Sequence, residues 1–369
     1  MPLHQRLKTP HYSIRIYPEE RIKTMDTTAQ KNQQFFESLL IVYANSCPHT
    51  VKNTLGQFKA VGLNNTITLS SPDEWEDTLN DGSVVPDLII IDRDFFGEES
   101  EAKIKALRHG KVGSNPFVPT IGTIGEAKRS EVLSFTRSGI DEILIRPFAI
   151  ATILQRLSNF ARGRKPFIAT ADYIGPDRRT RQERMARNDG ESSEESPERL
   201  IKPQPVDVPN PLQLKAEKIY NYKDFMEMTD RAQQEVYKEI LRGSVFRLIF
   251  DSVILSETAS YNLSTEIIKK HADDISENLS LISTMAQEAN LMDARFMRNL
   301  DNVRRTYKSG VSENGFDLGV TASLIDAATE LALLVYQQST PYRIIAEIRE
   351  SAQSFMTKYY RDQDTEEAD

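Results

Sequence analysis

Asp92 ends the stretch PDLIIIDRD (Pro86 to Asp94), in which four apolar residues, Leu88 to Ile91, lead straight into a carboxylate. A short unbroken apolar run of this kind is the pattern of a parallel strand buried on both faces. Such a strand delivers its last side chain to the rim of the sheet, where ligands gather in open α/β folds. A carboxylate in that position does chemistry on a bound group, or it caps the following loop.

Other chemistry-bearing residues are few. Cys47 is the only cysteine, which excludes disulfide frameworks and thiolate zinc sites within one chain. His271, in KKHADDIS, lies beside an apolar seam and reads as a structural or solvent-facing histidine. Nothing resembles a helix-turn-helix, a nucleotide-cyclase motif or a Gly-rich phosphate loop. Met285, Met292 and Met297 read as adaptable packing.

The elements that position Asp92 follow from alternation. LLIVYA (39–44), NTITLS, LIIID, FVPTIGT and DEILIRPF are short apolar runs that read as strands. Between and after them lie five helix-length amphipathic pieces. The first has Asn45 or Ser46 as its cap, the second has Ser71 as cap with Pro72 at its first position, and Gly110 and Gly139 close the third and fourth. Parallel neighbours need helical crossovers, so five strands alternating with five helices predict an α/β doubly wound, flavodoxin-like sheet.

The order of these elements, with PDLIIID, SGIDEILIRPF and the closing helix AIATILQRLSNFARG, resembles the receiver domain of bacterial response regulators over roughly a third of the chain. The resemblance implies that Asp92 occupies the position phosphorylated by a histidine kinase. It also implies an acidic pair for Mg²⁺ after strand one, a hydroxyl ending strand four, and a lysine before the proline after strand five. Here the acidic pair falls on Tyr43 and Ala44, the hydroxyl position on Ile124 with Thr123 one residue earlier, the lysine on Arg146 and the aromatic switch position on Ile143. Phosphoryl transfer to a carboxylate needs a divalent cation. Asp94 and Asn45 are the residues left to support Asp92 in a weak Mg²⁺ site, and Arg146 keeps the positive charge without being equivalent to lysine. Asp92 and Arg146 are alternatively a resting ion pair. The implied domain is a degenerate receiver, non-catalytic, without a cofactor unless phosphorylation brings Mg²⁺.

The chain has 369 residues, room for about two domains. Its net charge of −8 weighs against the whole chain being a nucleic-acid binder. Neither the charged N-terminus nor VFRLIFDSVIL (245–255) is a signal peptide or a membrane span, and a cytoplasmic location is expected. Residues 1–35 read as a flexible lead-in, 36–163 as the receiver-like domain, 164–211 as a charged Pro/Ser-rich linker and 361–369 as an acidic tail. Within the linker, DYIGPDRR (172–179) looks like a tail that follows receiver-like domains in some alphaproteobacterial regulators. The favoured reading is a short segment packed back on the receiver with a solvated basic end; the alternative is a docking element, with Tyr173, Arg178 and Arg179 its partner-binding candidates. The same arginines, with Arg181, give the sole basis for a nucleic-acid reading.

From 212 to 360 helical periodicity dominates. Ile268, Ile275, Ile282, Ala289, Phe296 and Val303 recur every seven residues, predicting one long helix packed in a bundle or coiled coil. With helices near 222–255, over TASLIDAATELALLVYQQS and after Pro341, about four are expected. The partners this organisation implies are proteins: a histidine kinase or another signalling protein, and a second copy of the chain through the helices.

Overall fold

A computed structural model describes residues 33–125, 129–179, 203–258, 264–312, 315–336 and 341–360. The N-terminal segment before 33, the linker stretch 180–202 with Arg181, and the acidic tail lie outside the described residues.

Five strands form one wholly parallel sheet: β1 (Ile41–Ala44), β2 (Thr66–Leu69), β3 (Leu88–Asp92), β4 (Thr120–Ile124) and β5 (Glu142–Ile145), in the order β2-β1-β3-β4-β5. The crossovers are α1 (Pro48–Ala60), α2 (Glu74–Asn80), α3 (Ser100–Arg108) and α4 (Arg129–Arg137), and α5 (Ile150–Arg162) closes the unit. This is the expected flavodoxin-like arrangement.

Strand periodicity divides the core in two. Ile41, Tyr43, Leu88, Ile90 and Ile121 point toward Phe58 of α1 and Ile153, Leu157 and Phe160 of α5. Val42, Ala44, Ile89 and Ile91 point toward Trp75 of α2, Ile104 and Leu107 of α3, and Phe135 of α4. Helix starts differ slightly from expectation. Cys47, not Asn45 or Ser46, is the residue before α1, and Pro48 opens the helix; α2 begins at Glu74, with Ser71 Oγ accepting from Asp73 N–H (3.4 Å) in the preceding turn.

Part of the expected linker is folded. Residues 167–176 form an antiparallel hairpin, β6 (Phe167–Ala169) and β7 (Ile174–Pro176), and Val206 adds a bridge to Phe167. The short helix α6 (Pro211–Ala216) docks on α5 and the sheet, with Leu212 buried, Asn210 donating to Phe160 O (2.7 Å) and Lys215 paired with Asp87 (2.6 Å).

The C-terminal region is helical: α7 (Tyr222–Ser256), α8 (Thr265–Glu288), α9 (Ala294–Gly310), α10 (Thr321–Val335) and α11 (Pro341–Tyr360), with a two-residue hairpin β8 (Val311–Ser312) and β9 (Gly315–Phe316). The single long helix expected over the heptad stripe is two helices. Asn290 adopts the left-handed conformation (φ 53°) just after α8, and Asp293 caps α9 by accepting from the Arg295 and Phe296 N–H groups. The stripe survives the break because both helices turn their apolar faces to one core: Ile275, Ile282, Ala289, Phe296 and Val303 are all buried. Asp293, which breaks a second stripe of Leu279, Ala286 and Leu300 four residues beyond the first, is the cap that permits the turn. Leu318–Val335 has the length and hydropathy (1.6) of a membrane-crossing helix; its α10 portion packs on α7, α9 and α11.

The hairpin joins the two regions. Phe167, Ala169 and Ile174 belong to the same buried cluster as Val236, Ile240 and Leu241 of α7.

Candidate functional site

The site lies along the carboxyl edge of the sheet and follows from register. Asp92 is paired with Thr123, and Thr123 with Leu144, so their side chains emerge on one face, the side covered by α1 and α5. Ala44 pairs with Ile91, which sets Asn45 beside Asp92 in the same row. Arg146, two residues beyond Leu144, returns to that face. Four positions on four strands therefore converge without any being adjacent in sequence.

Asp92 is buried, 3% exposed, and its oxygens are occupied. Oδ1 accepts from the Asp94 N–H (3.1 Å), the turn that starts the loop after β3. Oδ2 accepts from the Thr123 hydroxyl (2.7 Å) and faces Arg146 Nε at 3.2 Å, an ion-pair contact without hydrogen-bond alignment. Arg146 Nη2 reaches Asp94 Oδ2 (3.1 Å), so one guanidinium spans both carboxylates. The Arg146–Pro147 peptide bond is cis.

Of the supporting residues named from sequence, Asp94 and Arg146 are gathered at Asp92. Asn45 is buried beside them, but its Oδ1 accepts from Cys47 N–H (2.8 Å) and shapes the turn from β1 into α1; its Nδ2 has no partner among the described residues. Tyr43 and Ala44 are buried in β1. The Tyr43 hydroxyl lies 3.4 Å from Thr54 Oγ1, and burial pushes its pKa up, with Asp92 adding to the rise. Counting back from the proline after β5 places Ile124 at the hydroxyl position. The structure corrects this: Ile124 points to the opposite face, and Thr123 supplies the hydroxyl because it shares the pair position with Asp92. Ile143 is partly buried against the α4 side.

Tyr173, Arg178 and Arg179 are drawn into contacts within the chain. The Tyr173 hydroxyl donates to Pro176 O (2.9 Å). Arg179 grips buried Asp177 with Nε and Nη2, both at 2.9 Å. Arg178 is an exposed residue, yet its guanidinium donates to the carbonyls of Ile140 and Asp141. Gly175 explains the Gly-Pro step of DYIGPDRR: a Cβ there would sit 2.7 Å from Gly139 Cα, so the hairpin and the end of α4 touch backbone to backbone.

Sequence reading missed the buried cation beneath this hairpin. Arg108, ending α3, is fully buried and donates to the carbonyls of Gly139, Pro116 and Val118, to Thr120 Oγ1 and to Asp141 Oδ2. Burial lowers its pKa to about 10, against the pull of Asp141. Arg164 holds the other side of Asp141 (Nε to Oδ1, 2.7 Å), and both guanidinium groups lie over the Phe167 ring. The available signal was spacing: Arg108 follows Ile104 by four residues and Leu107 by one, which puts it on the apolar face of α3.

His271 is buried, with Nδ1 2.9 Å from Asp251 Oδ1. Asp251, His271 and Asp274 bring ligand atoms within 4.8 Å of one another, but Arg247 already bridges the two carboxylates at 2.7 and 2.9 Å and supplies the cation internally.

No protein-family model matches the chain, and no curated protein matches it either.

Proposed function

We propose that the chain is a non-catalytic signalling protein of the two-component type, in which a degenerate receiver serves as a protein-interaction module and the helical region as output or oligomerisation surface. The observation that carries this reading is the internal pairing of Asp92: one oxygen accepts from a backbone N–H, the other accepts from a hydroxyl and faces a guanidinium as its ion-pair partner. Mg²⁺ requires near-octahedral oxygen coordination with one or two carboxylates. At Asp92 the nearest second carboxylate, Asp94, is tied to the same arginine, and the flanking positions on β1 are Tyr43 and Ala44.

The runner-up is an atypical regulator phosphorylated on Asp92. The Thr123 hydroxyl favours it, since a donor already at Oδ2 would stabilise an acyl phosphate, with Arg146 adding charge. Titration of the full chain with Mg²⁺ by calorimetry separates the two. The first reading predicts no saturable heat at millimolar Mg²⁺; a site filled below that range, lost in Asp92→Asn, favours the second.

The nucleic-acid reading built on the DYIGPDRR arginines loses support from the internal contacts of Arg178 and Arg179.

A further inference from the structure

Helix α9 is strongly basic in an acidic chain. Over Ala294–Gly310 it holds five basic residues, Arg295, Arg298, Arg304, Arg305 and Lys308, against one acid, Asp301, in a protein of net charge −8. Its apolar face, Phe296, Leu300 and Val303, is spent in the bundle core. The outward face is therefore polar by necessity, but nothing in packing requires it to be basic.

Arg295, Arg298, Arg305 and Lys308 are all exposed and, at spacings of 3, 7 and 3, follow one side of the helix. At 1.5 Å per residue the row is about 20 Å long. No acidic side chain pairs with any of the four among the described residues; Asp301 pairs with Arg304 (3.7 Å). Arg305 Nε bonds only its own helix, at Asp301 O. Asp326 and Glu330 of α10 line a surface depression with Asn302 and Thr306 of α9, so one flank of the helix is acidic.

Four kinds of polyanionic partner would answer such a row. A membrane-surface helix needs apolar side chains on the docking side, and those of α9 are buried. A protein interface draws its energy from buried aromatic or aliphatic anchors, and the row exposes none. Single-stranded nucleic acid is held by stacking on aromatic rings; Tyr307, the aromatic residue nearest the row, stacks on Phe316 and donates to Ala272 O. Phosphates of a duplex need only fixed cations, and guanidinium groups grip them bidentately. Thr306 and Ser309 spend their hydroxyls on helix carbonyls, so the row lacks the hydroxyl donors suited to reading a ribose 2′-OH.

We propose that the exposed face of α9 binds the phosphate backbone of duplex DNA without sequence preference.

The test is fluorescence anisotropy of a labelled mixed-sequence DNA duplex with the full chain over a salt series. It compares wild type, Arg298→Gln/Arg305→Gln, and a control of equal charge loss on α1, Lys52→Gln/Lys59→Gln. The proposal predicts saturable, salt-sensitive binding, weakened about tenfold or more in the α9 variant, with the log–log salt slope reduced by about two. The α1 control should bind like wild type. Absence of binding at low salt overturns the proposal. So does equal loss in both variants, or binding to phosphatidylserine vesicles in place of the duplex. All four substituted side chains are exposed, and circular dichroism of each variant checks that the fold is kept.

Discussion

Thr123 and Asp92 face each other across one pair of the parallel sheet, and the Thr123 hydroxyl donates to Asp92 Oδ2 at 2.7 Å. Each oxygen of the buried carboxylate accepts one hydrogen bond, and the Thr123 hydroxyl is one of the two donors. Thr123→Val should cost about 1.5–3 kcal/mol in denaturant unfolding, the range for a hydrogen bond to a charged group. The same substitution in an Asp92→Asn background should cost less, giving a coupling of about 1 kcal/mol in the double-mutant cycle. Additive effects would mean the hydroxyl contributes nothing to holding the carboxylate.

Glycine-to-alanine changes should differ in sign by position. Gly139 has φ +96°, and a Cβ there would strike the Ile174 carbonyl oxygen. Gly139→Ala should cost about 3 kcal/mol from backbone strain and overpacking together. Gly56 lies inside α1, and a methyl group added there would meet nothing within 4 Å, so Gly56→Ala should gain up to about 1 kcal/mol. Thermal melts of the two variants check both signs.

Arg108 and Asp141 form a fully buried pair at 3.0 Å. Arg108→Met removes a cation that also closes three carbonyls, and should cost about 3–5 kcal/mol by leaving those carbonyls open and Asp141 to Arg164 and the Thr120 N–H. Arg108→Lys should recover little of this, since an ammonium cannot reproduce the fork that reaches Gly139, Pro116 and Val118. Rescue by lysine would show that charge, and not geometry, is what the site needs.

Asp87 gives a pH dependence. Burial raises its pKa above the ordinary 3.8, outweighing the opposing pull of Lys215. A folded-state carboxyl with a raised pKa binds its proton at higher pH than the unfolded chain does. Its contribution therefore favours folding as pH falls into the window just above 3.8, and that benefit is lost as pH rises through the folded value. Comparing stability against pH for wild type and Asp87→Asn should show this segment of the slope disappear in the variant.

The sheet was legible because its strands are unbroken apolar runs whose order admits one architecture. Asp92 was legible as the carboxylate ending β3. Thr123 was not, because counting from the proline after β5 assumes a loop length, whereas the hydroxyl is placed by strand register. That DYIGPDRR packs back on the α/β unit was legible from its turn residues, but its hairpin pairing was not, since Gly175 against Gly139 and Arg179 on Asp177 are contacts between distant or exposed-looking residues. The heptad stripe was read correctly as core-facing but not as two helices. Apolar period continues through the turn at 289–293, and only Asn290 and Asp293 signal the break.

The most direct test of the central reading is the intact mass of the full chain after incubation with acetyl phosphate and Mg²⁺, beside Asp92→Ala. A degenerate receiver predicts no added mass in either protein. A phosphate-sized gain in the wild type, absent from Asp92→Ala, would contradict it and make the Asp92–Thr123–Arg146 cluster a working phosphoacceptor site.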